Sequence, residues 1–444
     1  MVRARKRATL TQHKTLLNLF ALVFLVGCTQ QTMAPIDSPT PNIEFATQIF
    51  TITPTSEIAA TTISNAFTIH SLCPQITNDA SLLADSTGTI VLAGDDISFY
   101  NEKYSLDNSQ ISILLFWDTD SEKGTIYPLP GYGQQFNYYL SSPDRTKLAL
   151  TEGKTLPMDS EVFVLTAQAQ QEASFTLPED WTLFDWLNDE KLLVRQIRLR
   201  GEKLDLVAID PITGEQEFLP SNFPNLYSFQ ALVFWKALTI FDPSASFVVY
   251  PERKENEIIS ILWDMRNKKE IARITGLSKW PKWAPDGSQL LIVVDYRSTP
   301  NDSGHEEIFL AKPDGEVIRS TFFDEHFEHN IIDLPEWSPN GRYVAFWQRT
   351  NLSASRLAVL DTETSTIDLY CKEIDPFPDR MAEPNTLGYA YYQVNAAPPI
   401  WSPDSKYVLI EDYQDFTSNT FLFDLQNHAI TQIAENARPI GWLK

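Results

Sequence analysis

The chain is 444 residues long, more than one hydrophobic core usually spans, so several domains or a repeat array are expected. A hydrophobic content of 43%, with 26 Phe, 16 Tyr and 11 Trp, argues for a packed protein and against disorder. The formal net charge of −23 repels nucleic acid, so a nucleic-acid partner is not expected, and it favours solubility, cationic partners or weak divalent-cation binding.

At the N-terminus, Arg3, Arg5, Lys6 and Arg7 form a basic region and Leu16 to Val26 an apolar one. The apolar run is too short to span a bilayer and reads as a signal peptide. It closes on Leu25-Val26-Gly27-Cys28, which resembles the bacterial lipobox. That resemblance implies cleavage before Cys28 and lipidation of it, holding the protein on a membrane surface without spanning it. A plain secretory signal, or an uncleaved anchor, with Cys28 incidental is the alternative. Residues 29–70 are rich in Thr, Ser and Pro, poor in charge and without periodicity, as a flexible tether would be. The expected organisation is therefore a leader over 1–28, a tether over 29–70 and a folded body over 71–444. Cys73 and Cys371 would lie in a disulfide-permissive compartment, where they either pair or remain two buried thiols.

Two signals then recur and alternate. The first is an aromatic residue, a small residue, Pro, Asp or Asn and a turn residue, followed by an apolar strand. It is clearest at Trp283 (WAPDGSQLLI), Trp337 (WSPNGRYVAF) and Trp401 (WSPDSKYVLI). Weaker copies begin at Ala84, Ser141, Trp186 and Phe241. The second is a pair of alternating apolar runs around a polar turn, the hairpin pattern, beginning near Ile111, Glu161, Asp205, Ile259, Glu307, Arg356 and Thr420. Each copy of the first signal is followed by one of the second.

Two strands from each signal make a four-stranded antiparallel unit, and a spacing of about fifty residues suits propeller blades. One such sheet cannot bury both faces, whereas neighbours stacked around an axis can. The expected fold is all-β, a seven-bladed β-propeller, with six or eight blades as fallbacks. Residues 437–444 (ARPIGWLK) look like an eighth turn signal cut short at Trp442, so the C-terminal strand is expected to complete the first blade and close the ring. Large aromatics such as Trp283, Trp337 and Trp401 usually end buried, here as wedges between blades.

The WSPDG-type turn before an apolar strand resembles the WD-repeat-like propeller repeats of TolB, the periplasmic partner of the Tol–Pal system. Similar blades occur in the propeller domains of prolyl-oligopeptidase-type peptidases. The resemblance covers roughly residues 80–444 and speaks for fold, not function. TolB is soluble with an extra N-terminal domain, whereas this chain has a lipobox and a tether. No G-x-S-x-G nucleophile elbow of the peptidases is present.

Candidate chemistry is sparse. His326 and His329, within Asp324-Glu325-His326-Phe327-Glu328-His329, would share a face on a helix, but their surroundings read as a loop, and no metal site is expected. Asp118 to Gly124 resembles a calcium loop only superficially: Gly124 falls at the seventh position and Leu129 occupies the twelfth, so a hairpin turn is expected. No spacing marks a catalytic triad and no Gly-rich phosphate loop is present, so neither an enzyme nor a cofactor is expected.

The stretch from Cys371 to Pro399 breaks the repeat rhythm and carries Phe377, Tyr389, Tyr391 and Tyr392. Long insertions on rigid scaffolds often carry function, and tyrosine suits interfaces. The plainer reading is a strap packed on the propeller itself. The expected function is a monomeric, lipid-anchored extracytoplasmic propeller of the bacterial envelope that binds a protein or glycan partner or serves assembly. The alternative is a propeller enzyme, a lyase or hydrolase, with its site at one mouth of the central channel.

Overall fold

The computed structural model describes residues 67–77, 83, 86–100, 102–106, 112–129, 139–151, 160–178, 181–196, 206–219, 240–254, 257–295, 305–350, 355–374, 397–414 and 417–444. Cys28 with the leader, most of the tether, and Phe377, Tyr389, Tyr391 and Tyr392 lie outside the described residues.

The described strands form seven sheets, each built on four antiparallel strands. Blade 2 comprises Tyr139–Ser141, Lys147–Thr151, Ser160–Thr166 and Gln171–Leu177. Blade 3 comprises Trp181–Trp186, Leu192–Gln196, Leu206–Ile209 and Gln216–Phe218. Ile240–Phe241, Phe247–Lys254, Glu257–Asp264 and Lys269–Thr275 form blade 4. Blade 5 is Leu277–Trp283, Leu290–Asp295, Glu306–Ala311 and Val317–Arg319. Blade 6 is Ile331–Trp337, Tyr343–Arg349, Ser355–Asp361 and Thr366–Ile374, and blade 7 is Ile400–Trp401, Tyr407–Gln414, Thr417–Asp424 and Ala429–Glu435. Blade 1 takes its first strand, Arg438–Leu443, from the end of the chain and its others, Thr89–Gly94, Ile113–Asp118 and Lys123–Pro128, from the beginning. The chain is a seven-bladed β-propeller.

Burial explains the sequence pattern. Second strands are covered on both faces: every residue of Leu290–Asp295 is buried, which is why this segment reads as a continuous apolar run. Outer strands alternate, as in Gln171–Leu177. The core lies between blades; one cluster joins Leu193 and Leu206 of blade 3 to Val248 and Tyr250 of blade 4. Each buried aliphatic side chain there contributes about 1.5–3 kcal/mol.

The turn after each first strand follows from its residues. In blade 7, Ser402 Oγ donates to Asp404 Oδ1 (2.7 Å) and accepts from the Tyr407 N–H (2.9 Å). Ser338 and Asn340 in blade 6 and Ser142 and Asp144 in blade 2 repeat this arrangement. The fifth motif position is left-handed in five of these turns: Gly287 and Gly341 have φ +71°, and Arg145, Ala245 and Ser405 adopt +63°, +54° and +62°. Third-to-fourth-strand turns use an aspartate instead. Asp118 Oδ1 accepts the N–H groups of Asp120 and Ser121, so the calcium-like segment is a hairpin turn that its own backbone satisfies.

The tryptophans that recur in the repeats link blade to blade. Trp337 Nε1 donates to the Lys282 carbonyl (3.1 Å), Trp401 Nε1 to the Glu336 carbonyl (3.0 Å) and Trp186 Nε1 to the Leu140 carbonyl (2.8 Å). In each case the acceptor lies on the preceding blade's first strand. The aromatic that opens a second strand packs on the next blade's tryptophan: Tyr343 on Trp401 and Tyr407 on Trp442, both with ring centroids 6.2 Å apart. These residues are wedges, as expected from their usual burial.

Closure is reinforced three times over. Thr89 to Ala93 pairs antiparallel with Arg438 to Leu443. A hairpin inserted in blade 1, Asp96–Phe99 and Glu102–Ser105, adds itself to the outer strand of blade 7. The N-terminal segment then runs along the rim: Thr68–Leu72 pairs parallel with the outer strand of blade 6, and Gln75–Thr77 with that of blade 7. Between them Cys73 is disulfide-bonded to Cys371, with Cα atoms 5.0 Å apart. None of these added strands shows in the repeat pattern, and Thr68–Leu72 straddles the expected end of the tether.

At Gly88 (φ +103°) an added Cβ would lie 2.2 Å from the Leu443 carbonyl oxygen. Gly88→Ala should therefore cost about 3 kcal/mol or more, read as a lower thermal midpoint. Deleting the residues after Asn436 should lower thermal stability greatly, and an unchanged melting temperature would refute closure by this strand. Acid should loosen the turns. Burial pushes the Asp144 and Asp404 carboxyls up, but hydrogen bonds from Ser142 and Thr146, and from Ser402 and Lys406, outweigh it and hold both below the usual carboxylate value. Their contribution is present above the unfolded value of about 3.9 and lost as pH falls through the lower folded one, so Asp404→Asn should flatten the stability loss below about pH 4.

Candidate functional site

The two faces of the ring differ in what they carry. First-to-second-strand turns such as 142–146, 338–342 and 402–406, and third-to-fourth-strand turns such as 119–122 and 362–365, are short and lie on one face. The opposite face, called here the long-connection face, carries the connection 320–330 between blades 5 and 6. Residues 375–396 of the expected insertion lie outside the described residues.

On the long-connection side, a charged network is buried between blades 5 and 6. Four residues before their tryptophans, the first strands of these blades carry Lys279 and Asp333, in the equivalent segments Lys279-Trp280-Pro281-Lys282-Trp283 and Asp333-Leu334-Pro335-Glu336-Trp337. Both strands bulge at this point, with register shifts after Lys279 and Asp333. Trp280 and Leu334 are left-handed there, at φ +53° and +50°. Such backbone costs about 1–3 kcal/mol per residue and persists only where its surroundings impose it. Here the bulges bring opposite charges together: Lys279 Nζ lies 2.7 Å from Glu306 Oε2 and 3.5 Å from Asp333 Oδ1. Arg349 Nε donates to Asp333 Oδ2 (2.9 Å), and the Ile332 N–H donates to Glu306 Oε2 (2.6 Å). Lys279 is 4% and Asp333 0% exposed.

A relay of amides leads outward from this network. Asn330 Nδ2 donates to the Glu306 carbonyl (2.7 Å), Gln348 Nε2 to Asn330 Oδ1 (2.8 Å) and Arg356 Nη2 to Gln348 Oε1 (2.8 Å). Burial, against the pull of Lys279, pushes the Glu306 carboxyl up to about 7. Asp333 feels the same burial, but Lys279 and Arg349 outweigh it and hold its carboxyl below the usual range. Two carboxyls driven apart in this way mark a candidate site. Related pairs continue around this face: Lys372 Nζ lies 3.3 Å from Asp412 Oδ2, and Arg438 Nε 3.3 Å from Glu411 Oε2. They join blade 6 to blade 7 and blade 7 to blade 1.

The histidine cluster divides between unrelated contacts. His326 caps the 3₁₀ turn Phe323–Glu325 and packs on Phe67, with ring centroids 5.6 Å apart, while His329 faces His305 at 5.8 Å. Asp324 is held by Arg319. Among the described residues no group of three or more His, Cys, Asp or Glu side chains could hold a metal. Lys279, Glu306, Asp333 and Arg349 escape a reading of the sequence because each lies in a strand whose alternation hides it. The one available signal is the pair of opposite charges at equivalent places before Trp283 and Trp337.

No known family's sequence pattern matches the chain, and no curated protein resembles it in sequence. Solved structures resemble it in shape. TolB from Acinetobacter baumannii is 13% identical, with a TM-score of 0.42 over 75% of this chain and 79% of that one. The β-propeller domain of the Trilobed protease from Pyrococcus furiosus is 13% identical, with a TM-score of 0.47 over 78% and 98%. An oligogalacturonate lyase in complex with manganese is 13% identical, with a TM-score of 0.43 over 66% and 74%. TolB proteins and other β-propellers are thus among its structural neighbours. Nothing about activity follows at these identities and scores, and the propeller assignment rests on the strand pairing itself.

Asp333→Leu would leave Lys279 and Arg349 buried without their shared carboxylate and should cost about 3–5 kcal/mol in chemical denaturation. Glu306 acts with the opposite sign to the turn aspartates. Its folded value of about 7 exceeds the ordinary carboxyl value of 4.5, so its contribution falls as pH rises between the two. Glu306→Gln should remove that part of the pH dependence.

Proposed function

We propose that the protein is a lipid-anchored extracytoplasmic propeller that binds a protein or glycan partner as an assembly module, without catalysing a reaction. The observation that carries this reading is how the charges on the long-connection face are used. Lys279, Glu306, Asp333 and Arg349 form ion pairs with one another, as do Lys372 with Asp412 and Arg438 with Glu411. Groups committed in this way hold blades in register. A general acid or base must instead reach a proton on a substrate. The leader ending in Cys28 supports the anchor, and the Cys371–Pro399 segment, rich in tyrosine, is the place for a partner to dock.

Cys28→Ala should move the protein from the membrane fraction to the soluble one; retention on membranes would remove the lipid anchor from the proposal. Crosslinking from membranes, repeated with residues 374–397 replaced by a short linker, should lose the partner. Unchanged partners would clear the insertion of any docking role.

A further inference from the structure

We propose that the Cys73–Cys371 bond is a redox latch. A dithiol reductant opens it on the folded propeller, and the strap of residues 67–77 then lifts from the outer edges of blades 6 and 7. This device is separate from the buried network and does not depend on the reading above.

The bond lies where a thiol can reach it. Cys73 directly follows the strap strand Thr68–Leu72, and Cys371 lies within Thr366–Ile374, the outer strand of blade 6. These parallel strands are in register from Thr68 with Thr366 to Leu72 with Tyr370. The next pair is therefore Cys73 with Cys371, whose Cα atoms are 5.0 Å apart. Both cysteines are exposed, whereas the neighbouring Leu369 and Tyr370 are buried. Exchange needs a thiolate at one sulfur, so access decides which disulfides open without unfolding. The first thiolate of the dithiol attacks one sulfur, the S–S bond breaks, and the other cysteine leaves as a thiolate and takes up a proton. The second thiol of the reductant then displaces the remaining cysteine. Two electrons and two protons pass to the cysteines, and the dithiol becomes a cyclic disulfide.

The other contacts of the strap are modest. Thr68–Leu72 supplies five paired residues and Gln75–Thr77 three. None of Thr68–Leu72 is fully buried, and Ile76 is 69% exposed. Phe67 rests on Phe322, Phe323 and His326, with ring centroids 5.8, 5.8 and 5.6 Å away, and Ile69 and Leu72 lie at the margin of the core. His70 Nδ1 meets Asp368 Oδ1 at 3.1 Å in an exposed pair. A segment held chiefly by backbone bonds at a solvent-facing edge opens locally, well short of global unfolding. The disulfide pins residue 73 to the rim and prevents that opening. Blade 6 itself does not need the strap. Its outer strand is paired on the inner side with Ser355–Asp361, and Tyr370 packs edge-on against Phe423 of blade 7, with ring centroids 5.2 Å apart. Among the described residues, blades 2 to 5 are four-stranded sheets without such a cover. Release therefore uncovers a row of backbone N–H and C=O groups on blades 6 and 7, while Arg438–Leu443 keeps the ring closed.

The test is hydrogen exchange read by mass spectrometry on the full chain, oxidised and then treated with dithiothreitol well below its thermal midpoint. Thiol alkylation, assigned by peptide, reports the state of Cys73 and Cys371. Reduction should make both cysteines alkylable and speed exchange about tenfold or more in 67–77 and 366–371. Exchange in Leu290–Asp295, the buried second strand of blade 5, should not change. Re-oxidation should restore the slow exchange. The double variant Cys73→Ser, Cys371→Ser should exchange like the reduced parent and ignore the reductant; if it does not fold, the parent decides alone. A bond that dithiothreitol opens only in denaturant, or unchanged exchange in 67–77 after reduction, would overturn the proposal. Equal acceleration in Leu290–Asp295 would overturn it too, since the bond would then hold the whole fold rather than the strap.

Discussion

Pairing of Arg438–Leu443 with Thr89–Gly94 converts seven sheets into a ring, and the remaining structure follows from that closure. A four-stranded blade has two apolar faces and no means of burying both. Its second strand, as at Leu290–Asp295, is buried throughout only because another blade stands on either side. Open the ring and the terminal blades lose a neighbour each, together with the outward packing of residues such as Trp442. The chain accordingly defends this seam more than any other. The hairpin from blade 1 adds to blade 7, the N-terminal strands run over the outer edges of blades 6 and 7, and the Cys73–Cys371 bond fixes the strap to the rim. Added outer strands also cover the unpaired edges of two blades, which would otherwise be templates for pairing with other chains.

Junctions between blades are held by two different means. Near the short-turn face the indole of one blade bonds to a carbonyl of the blade before it, as Trp337 and Trp401 do, and an aromatic from the preceding blade stacks beside it. Near the long-connection face the linkage is ionic, from Lys279 to Asp333 and from Arg438 to Glu411. The indole linkage is not uniform. Trp283 Nε1 is buried without a hydrogen-bond partner, so the junction of blades 4 and 5 relies on apolar packing such as Phe247 on Trp283. Charge is therefore used mainly to set neighbouring blades in register. Desolvation makes that use expensive, and it is offset by the pairing of Asp333 with Arg349 and Lys279 and of Glu306 with Lys279 and the Ile332 N–H.

The sequence by itself determined the blades, their number and the place of closure. These follow from local physics: period-two alternation makes strands, Pro, Asp and Gly make turns, and a repeat truncated at Trp442 implies a strand without a sheet of its own. The fate of Trp337 and Trp401 was legible for the same reason. What only the tertiary structure decided concerns residues that meet across long separations. No local pattern announces that Thr68–Leu72 will lie parallel to Thr366–Ile374, because an edge strand accepts any extended segment that reaches it. Lys279, Glu306, Asp333 and Arg349 sit in unrelated strands and converge because two bulges redirect them. A repeat specifies each blade from within, whereas a site on a propeller exists only between blades, where geometry rather than sequence proximity chooses the neighbours.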